Sequence, residues 1–313
     1  MIAQPLPANC PVISQSDFTR MVIGTAQLGF PYGIANKTGP PPDTEIRDMI
    51  RQAWEKGVRM FDTAQGYGES EARLGTALMQ LGYAGDALVV TKFGGVMVQS
   101  GEADFKAHVE NSLTKLNVSS LHGLMLHEED LLDIFSDRLR PIMEALRDSG
   151  KIKHIGVSCY SPARAMQAMA TPGIDFVQIP ANLFDRRFHQ CGVMREADIH
   201  RKTVYTRSVF LQGLLLMDPH SLPARMAFAQ HPLIRLREFC TEHGVAPLGL
   251  AMAYVREKYP HARVIFGAES RVQVTENLMA WEMSMPQDLL QAAERTFKDL
   301  DDRIVNPARW PTK

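Results

Sequence analysis

Short apolar segments alternate with amphipathic helical segments along nearly all of this 313-residue chain. Alternation of this kind favours parallel strands, because a parallel strand is reached through a helical crossover. Eight segments read as strands: Met21–Gly24, Arg59–Asp62, Leu88–Lys92, Leu121–His127, Ile152–Ser158, Phe176–Pro180, Thr203–Ser208 and Val264–Gly267. Eight such strands with helices between them predict an α/β fold, a single (β/α)₈ TIM barrel.

The helical segments fill the intervals between these strands. They are Thr44–Lys56, Ser70–Leu81, Glu102–Leu116, Leu139–Ser149, Pro162–Met169 and Pro247–Glu257, with Pro286–Leu300 as a last surface helix. The longest interval holds Met217–Pro232, which we interpret as a loop with an added helix. Because no linker, repeat or low-complexity tract interrupts the pattern, residues 1–18 are predicted to form an N-terminal arm and residues 19–313 one barrel.

Composition excludes several function classes. A formal net charge of -1 gives no electrostatic reason to bind nucleic acid or an anionic membrane. No apolar segment has the length of a transmembrane helix, and the first 15 residues lack the features of a signal peptide. The four cysteines, Cys10, Cys159, Cys191 and Cys240, form no metal-binding or redox spacing, so we expect a reduced, cytoplasmic protein.

Polar residues end three consecutive predicted strands. Asp62, Lys92 and His127 each follow an apolar segment, and Tyr67 lies between two glycines on the loop after the first of them. Because the carboxyl ends of barrel strands meet on one face, we expect these four side chains to lie together. The Lys92 ammonium would then lower the pKa of the Tyr67 phenol, and the Asp62 carboxylate would keep Lys92 charged. Ser70 is a candidate N-cap for the helix that follows.

Each of these residues alone has an ordinary structural explanation. Asp62 could cap a helix, Tyr67 could be a surface aromatic, Lys92 could leave the core at a strand end, and His127 could be a hydrogen-bonded histidine. All four at strand ends in this order favour a functional site over coincidence.

The motifs Phe61-Asp62-Thr63-Ala64 and Tyr67-Gly68-Glu69-Ser70-Glu71, followed by a lysine-ended strand, resemble the aldo-keto reductase superfamily. The resemblance extends from about Met21 to Asn277. It implies that Tyr67 is the general acid/base, that Lys92 and Asp62 adjust its pKa, and that His127 orients the substrate carbonyl. It also implies a hydride from a nicotinamide cofactor, NADPH/NADP⁺ with NADH possible, because no side chain supplies one.

The same resemblance places the nicotinamide end of the cofactor. Ile155-Gly156-Val157-Ser158-Cys159-Tyr160 is similar to a family segment with asparagine where Cys159 stands. Ser158 and Gln178 would hold the carboxamide, with Asn182 on the same rim. In Arg207–Leu215, Arg207 replaces the aromatic residue that stacks on the nicotinamide, so it predicts weak NADP⁺ binding or a role towards an anionic substrate. The pyrophosphate would be lined by Ser208, Leu211, Gln212 and Gly213.

The adenosine end follows the last predicted strand. Val264–Arg271 joins a strand, Gly267 and a helix start, and free N–H groups at a helix start bind anions. By resemblance the 2′-phosphate would lie near Ser270, Arg271 and Gln273, and the adenine near Glu276 and Asn277. Arg271 favours NADP, whereas Glu269 is unfavourable beside a phosphate.

Three other functions stay open. A metal-dependent hydrolase could use Asp62, His127 and the acids after it, although Lys92 would repel a divalent ion. The same fold could carry a non-catalytic cofactor-binding regulatory protein or a redox-neutral sugar epimerase. The expected partner is a small-molecule carbonyl or sugar substrate. Its identity depends on the loops Leu28–Pro42, Glu128–Asp137 and Met217–Pro232.

Overall fold

The computed structural model describes residues 17–94 and 102–311. The predicted N-terminal arm lies outside the described residues except for its last two, and so does Cys10. Asp17 caps a short 3-10 helix, Phe18–Arg20, by accepting a hydrogen bond from the Thr19 N–H. That helix leads directly into the first strand.

Eight parallel strands close into a barrel, in which the first strand pairs with both the second and the eighth. They are β1 Met21–Gly24, β2 Met60–Asp62, β3 Leu88–Phe93, β4 Leu121–Leu126, β5 Ile152–Ser158, β6 Phe176–Pro180, β7 Thr203–Arg207 and β8 Arg263–Gly267. The predicted TIM barrel is confirmed, and every predicted strand boundary lies within one residue of the observed one.

Helices surround the barrel. They are α1 Ala26–Gly29, α2 Asp43–Glu55, α3 Ser70–Leu81, α4 Glu102–Leu116, α5 Arg140–Asp148, α6 Pro162–Ala170, α7 Arg187–Gln190, α8 Val193–His200, α9 Gln230–Glu242, α10 Pro247–Lys258, α11 Arg271–Glu282, α12 Gln287–Thr296 and α13 Asp302–Val305. None of the helices that the structure describes is long and apolar enough to span a bilayer.

The intervals before and after β7 differ from the prediction. Helices α7 and α8 lie between β6 and β7, where no helix was predicted. Residues 217–232 form short 3-10 helices, Pro219–Ser221 and Ala224–Ala229, and only the start of α9. The predicted loop ended at Pro232, which lies inside the first turn of α9, where proline is tolerated. The last predicted surface helix is shorter than expected, since α12 ends at Thr296.

The barrel interior is filled by large side chains that require glycine on the neighbouring strands. A Cβ on Gly156 would lie 2.3 Å from the Phe176 ring, and one on Gly123 would lie 2.8 Å from it. Phe176 contacts Tyr205 at a ring-centroid distance of 5.1 Å. Phe176 and Tyr205 belong to an apolar cluster inside the barrel, to which Val22, Met60, Val90, Met125 and Ile265 also contribute.

Candidate active site

The structure brings the three strand-end residues, Asp62, Lys92 and His127, together with Tyr67 at the carboxyl face of the barrel. Lys92 Nζ donates to Asp62 Oδ2 at 2.7 Å and lies 5.0 Å from the centre of the Tyr67 ring. The Tyr67 and His127 rings meet edge to face with centroids 5.8 Å apart. Residues separated by up to 65 positions in the sequence therefore form one contiguous cluster.

The ion pair between Lys92 and Asp62 is the buried centre of this cluster. The two side chains are 1% and 6% exposed. Lys92 Nζ also donates to the Thr63 carbonyl at 2.9 Å, and Gln178 Nε2 donates to Asp62 Oδ1 at 2.7 Å. Burial lowers the pKa of Lys92, and the Asp62 charge opposes that shift. Because both carboxylate oxygens have partners, this buried charge is fully hydrogen-bonded.

The loop that carries Tyr67 rests directly on α1. A Cβ on Gly29 would lie 1.6 Å from the Tyr67 carbonyl oxygen, and Gly68 has a positive φ of 55° beside the Gly29 carbonyl. Only glycine permits this approach at both positions.

Ser70 anchors the end of the loop, but the prediction that it caps α3 is wrong. The Ser70 side chain is buried and donates to Thr25, while Thr63 Oγ1 lies 3.1 Å away. The helix begins at Ser70 itself, after Glu69. The Ser70 hydroxyl therefore bonds to the segments before α3 and not to the N–H groups of the helix.

The pKa of Tyr67 moves opposite to the prediction. Burial raises it, the negative charge of Asp62 raises it further, and the Arg207 charge partly opposes both. The Lys92 ammonium faces the ring but is bonded to Asp62, whose negative charge offsets part of its effect on the phenol. In this state Tyr67 is a protonated phenol throughout the physiological pH range.

His127 is neutral at physiological pH. Burial lowers its pKa to about 4, with further contributions from the charges of Lys92 and Arg207. A neutral imidazole beside Tyr67 can donate or accept one hydrogen bond without adding charge to the site.

Two buried polar atoms without partners lie where the nicotinamide carboxamide is predicted. Ser158 Oγ and Gln178 Oε1 have no hydrogen-bond partner among the described residues. Buried polar atoms without a partner are costly, so this pair suits an amide ligand. Asn182 is not free for such a ligand, since it donates to the Ser208 carbonyl and accepts from the Phe184 and Asp185 N–H groups.

Cys159 lies beside these atoms and is fully buried. Burial raises the pKa of its thiol to about 12. A buried neutral thiol is a weak donor, so it replaces the amide of asparagine poorly.

The loop after β7 has an unusual backbone. Ser208, Leu211 and Gln212 have positive φ values of 60°, 49° and 55°, and Gly213 follows with 88°. The Gln212 carbonyl accepts from the Ile34 N–H at 3.1 Å, which joins this loop to the one after α1. Successive left-handed residues form concave backbone surfaces that suit phosphate groups, and non-glycine residues adopt them at a cost.

The amino end of α11 carries the predicted adenosine residues. Ser270 caps the helix through the Gln273 N–H, and the buried Asn277 side chain reaches the Gly267 carbonyl at 3.4 Å. Arg271 is exposed and Glu276 is half-buried. A carboxylate that the sequence did not suggest, Glu45, accepts from the Arg271 N–H at 2.6 Å. The helix start thus already holds one anion.

Sequence reasoning assigned the loop Leu28–Pro42, with the aromatic residues Phe30 and Tyr32, to the substrate, but it missed Tyr160 and Gln27. Phe30 contacts both Tyr32 and Tyr67 edge to face, at centroid distances of 5.8 and 6.0 Å. Tyr160 lies against Arg207, and the Gln27 amide covers Gly267 so closely that a Cβ there would lie 2.2 Å away. Gln27 lies in α1, three residues after β1 ends, so the strand-end rule does not reach it. Tyr160 is brought to Arg207 only by the fold of the loops.

The metal-dependent alternative finds no support in the part of the chain that the structure describes. Those residues contain no group of three or more histidine, cysteine or acidic side chains that could hold a metal ion. Asp62 is occupied by Lys92 and Gln178.

Comparison with known proteins agrees with this geometry. The sequence model described as the aldo/keto reductase family matches residues 20–296. The aldo-keto reductase YhdN of Bacillus subtilis is 28% identical over 205 residues, which cover 63% of this chain and 60% of that relative. The D-threo-aldose 1-dehydrogenase of a Pseudomonas species is 23% identical, covering 88% of this chain and 96% of that protein.

A solved structure supports the fold. The holo form of an aldo-keto reductase from Bacillus halodurans superposes with a TM-score of 0.71 at 22% identity, covering 92% of this chain and 95% of that one. At that identity the likeness concerns the barrel architecture.

Proposed function

This chain belongs to the aldo/keto reductase family of oxidoreductases, and from that premise we propose that it interconverts a carbonyl compound and an alcohol with a nicotinamide cofactor. The observation that carries the proposal is the contact of Tyr67 with both the buried Lys92–Asp62 pair and His127. The phenol of Tyr67 as proton donor, the Lys92 ammonium and the neutral imidazole of His127 thus lie next to one another. Bound nicotinamide would supply the hydride.

Tyr67 would give its proton to the carbonyl oxygen as the alcohol forms. Its raised pKa keeps the proton in place until charge develops on that oxygen. The Lys92 ammonium would stabilise the phenolate that remains, since its positive charge lies 5.0 Å from the ring centre. In the reverse direction the same phenol oxygen would take the proton back.

The other members of the cluster would position these groups. Asp62 holds the Lys92 ammonium and is itself held by Gln178. Neutral His127 would orient the carbonyl by a hydrogen bond, because its low pKa keeps one ring nitrogen free to accept and the other free to donate.

Ser158 and Gln178 would bind the nicotinamide carboxamide through their unpartnered atoms. Ser208, Leu211, Gln212 and Gly213 would line the pyrophosphate. For the adenosine, exposed Arg271 supports NADPH, whereas Glu45 and Glu269 support NADH as the alternative.

Two measurements on the full chain test this function. Fluorescence titration with NADPH and NADH would report cofactor binding, and absorbance at the reduced nicotinamide band would report turnover of an aldehyde and aldose panel. We expect binding of at least one cofactor and its oxidation by at least one carbonyl. Failure of both cofactors to bind would refute the proposal. Binding without turnover of any carbonyl would favour a regulatory or redox-neutral protein instead.

A further inference from the structure

Arg207 brings a positive charge to the site, at the carboxyl end of β7. Among the described residues, its guanidinium forms no ion pair with a carboxylate. Its Cζ lies 4.4 Å from the centre of the Tyr160 ring, and its Nη1 reaches Ser208 Oγ at 3.4 Å. Nη2 is buried and has no hydrogen-bond partner among those residues. The guanidinium is thus held in position but not neutralised.

Two carboxylates of this region, Asp62 and Glu129, already accept hydrogen bonds from other groups. Asp62 is bonded to Lys92 and Gln178. Glu129 accepts from the N–H groups of Tyr160 and Ser161, at 2.5 and 3.0 Å. Neither carboxylate is free to turn to Arg207 without giving up these bonds.

The Arg207 charge acts on the groups that surround the reacting point. Burial raises the pKa of Tyr32 and of Tyr67, and Arg207 opposes both shifts. Burial and Lys92 lower the pKa of His127, and Arg207 adds to that effect. Its field therefore extends over the part of the cavity where the carbonyl would lie.

A neutral ligand leaves this arrangement unexplained. The reduced nicotinamide ring carries no charge that would compensate a guanidinium, and the Tyr160 ring already packs against it. A partly buried cation without a counter-ion costs free energy, which an anionic ligand group offsets. A guanidinium with a free Nη2 edge matches a carboxylate in shape and charge.

We propose, on the basis of the proposed function, that the preferred substrates carry a carboxylate besides the reacting carbonyl, and that Arg207 binds it. Arg207 is then the residue that determines this specificity, with Tyr160 positioning it. Phe30 and Tyr32 would supply apolar surface for the carbon skeleton between the two groups.

The first test measures binding without any reaction. Benzoate and its neutral analogue benzamide would be titrated calorimetrically into the full chain saturated with the reduced cofactor, so that no charged ring adds to the attraction. We expect benzoate to bind at least tenfold more tightly than benzamide. Arg207→Gln and Arg207→Met should remove that difference. Equal affinity of wild-type protein for benzoate and benzamide would overturn the proposal.

Arg263→Gln is the matched control. It removes the same charge at the amino end of β8, the opposite end of the barrel from the site. Thermal unfolding of all three variants would show that they fold. A loss of benzoate selectivity in Arg263→Gln equal to that in Arg207→Gln would mean a general charge effect and would also overturn the proposal.

The second test measures turnover of 2-, 3- and 4-carboxybenzaldehyde and their methyl esters. For the best isomer we expect kcat/KM to favour the acid over the ester at least tenfold, mainly through KM, and Arg207→Gln to abolish that ratio. A fall of equal size for acid and ester, with weaker cofactor binding, would assign Arg207 to the nicotinamide or the pyrophosphate of the cofactor and refute the proposal.

The two tests separate this inference from the proposed function. If no aldehyde is reduced but benzoate is bound selectively through Arg207, the reductase function fails and the anion site stands. If the esters and acids are reduced equally well, the reductase function stands and the anion site fails.

Discussion

At the scale of single residues, the site depends on groups whose charge states are set by burial. Lys92 and Asp62 keep opposite charges in a region closed to water, and Tyr67 keeps its proton because its surroundings disfavour a phenolate. A sequence-based argument from Lys92 alone gave the wrong direction for the pKa of Tyr67. It left out the burial of the phenol and the direct effect of the Asp62 charge on it, both of which raise the pKa of Tyr67.

Tyr67→Phe should lower kcat at least about 100-fold, because it removes the proton donor and leaves the shape of the site unchanged. The affinity for the reduced cofactor should stay within about twofold, measured by fluorescence titration. Tyr83→Phe, which removes a phenol stacked on Trp54 at a centroid distance of 4.2 Å, is the matched control. Near-normal turnover by Tyr67→Phe would exclude Tyr67 as the proton donor.

Asp62→Leu should lower the free energy of unfolding by about 3–5 kcal/mol, because it leaves the buried Lys92 ammonium without a counter-ion. The double variant with Lys92→Met should lose less than the sum of the two single losses, since no unpaired charge remains. Urea unfolding of the four proteins measures this coupling. Additive losses would show that the two groups do not stabilise one another.

At the scale of elements, close approaches between loops and helix ends position the site. Gly29 in α1 supports the Tyr67 loop, and the loop after β7 is bonded to the one after α1 through Gln212 and Ile34. The start of α11 shows how a neighbouring helix changes a local prediction. Glu45 in α2 occupies an N–H group there that the sequence of α11 alone leaves for a phosphate.

Replacing Glu45 and Glu269 by Gln should therefore shift cofactor preference towards NADPH by about tenfold or more relative to NADH. Removing two carboxylates from the start of α11 reduces repulsion of a 2′-phosphate. Arg271→Gln should shift the preference in the opposite direction. Fluorescence titration would give the ratio of the dissociation constants for NADPH and NADH in each variant. Unchanged ratios in all variants would mean that the 2′-position does not lie at this helix start.

At the scale of the whole molecule, two half-buried histidines link stability to pH. Burial lowers the pKa of His122 to about 4 from an ordinary value of 6.5, and the neighbouring His154 charge contributes. His127 is shifted to about 4 as well. Between about pH 6.5 and about pH 4 the unfolded chain binds protons that the folded chain does not. The free energy of unfolding therefore decreases as the pH is lowered through this range.

The free energy of unfolding should thus decrease as the pH is lowered from about 6.5 to about 4, with no contribution from these two groups above that window. His122→Gln should reduce the slope, as measured by urea unfolding at a series of pH values. His231→Gln, at an exposed position on α9, is the control. An unchanged slope in His122→Gln would show that this histidine titrates normally in the fold.

The sequence by itself determined the order of the strands, the barrel they form and the cluster of Asp62, Tyr67, Lys92 and His127. These follow from local periodicity and from the rule that parallel strand ends converge. Helix α9 and the two helices before β7 were not predicted from the sequence. The tertiary structure alone decided which polar atoms are left without partners, and it brought Tyr160 and Glu45 to the site. Those outcomes depend on contacts between loops distant in sequence, where burial and pairing set both geometry and charge.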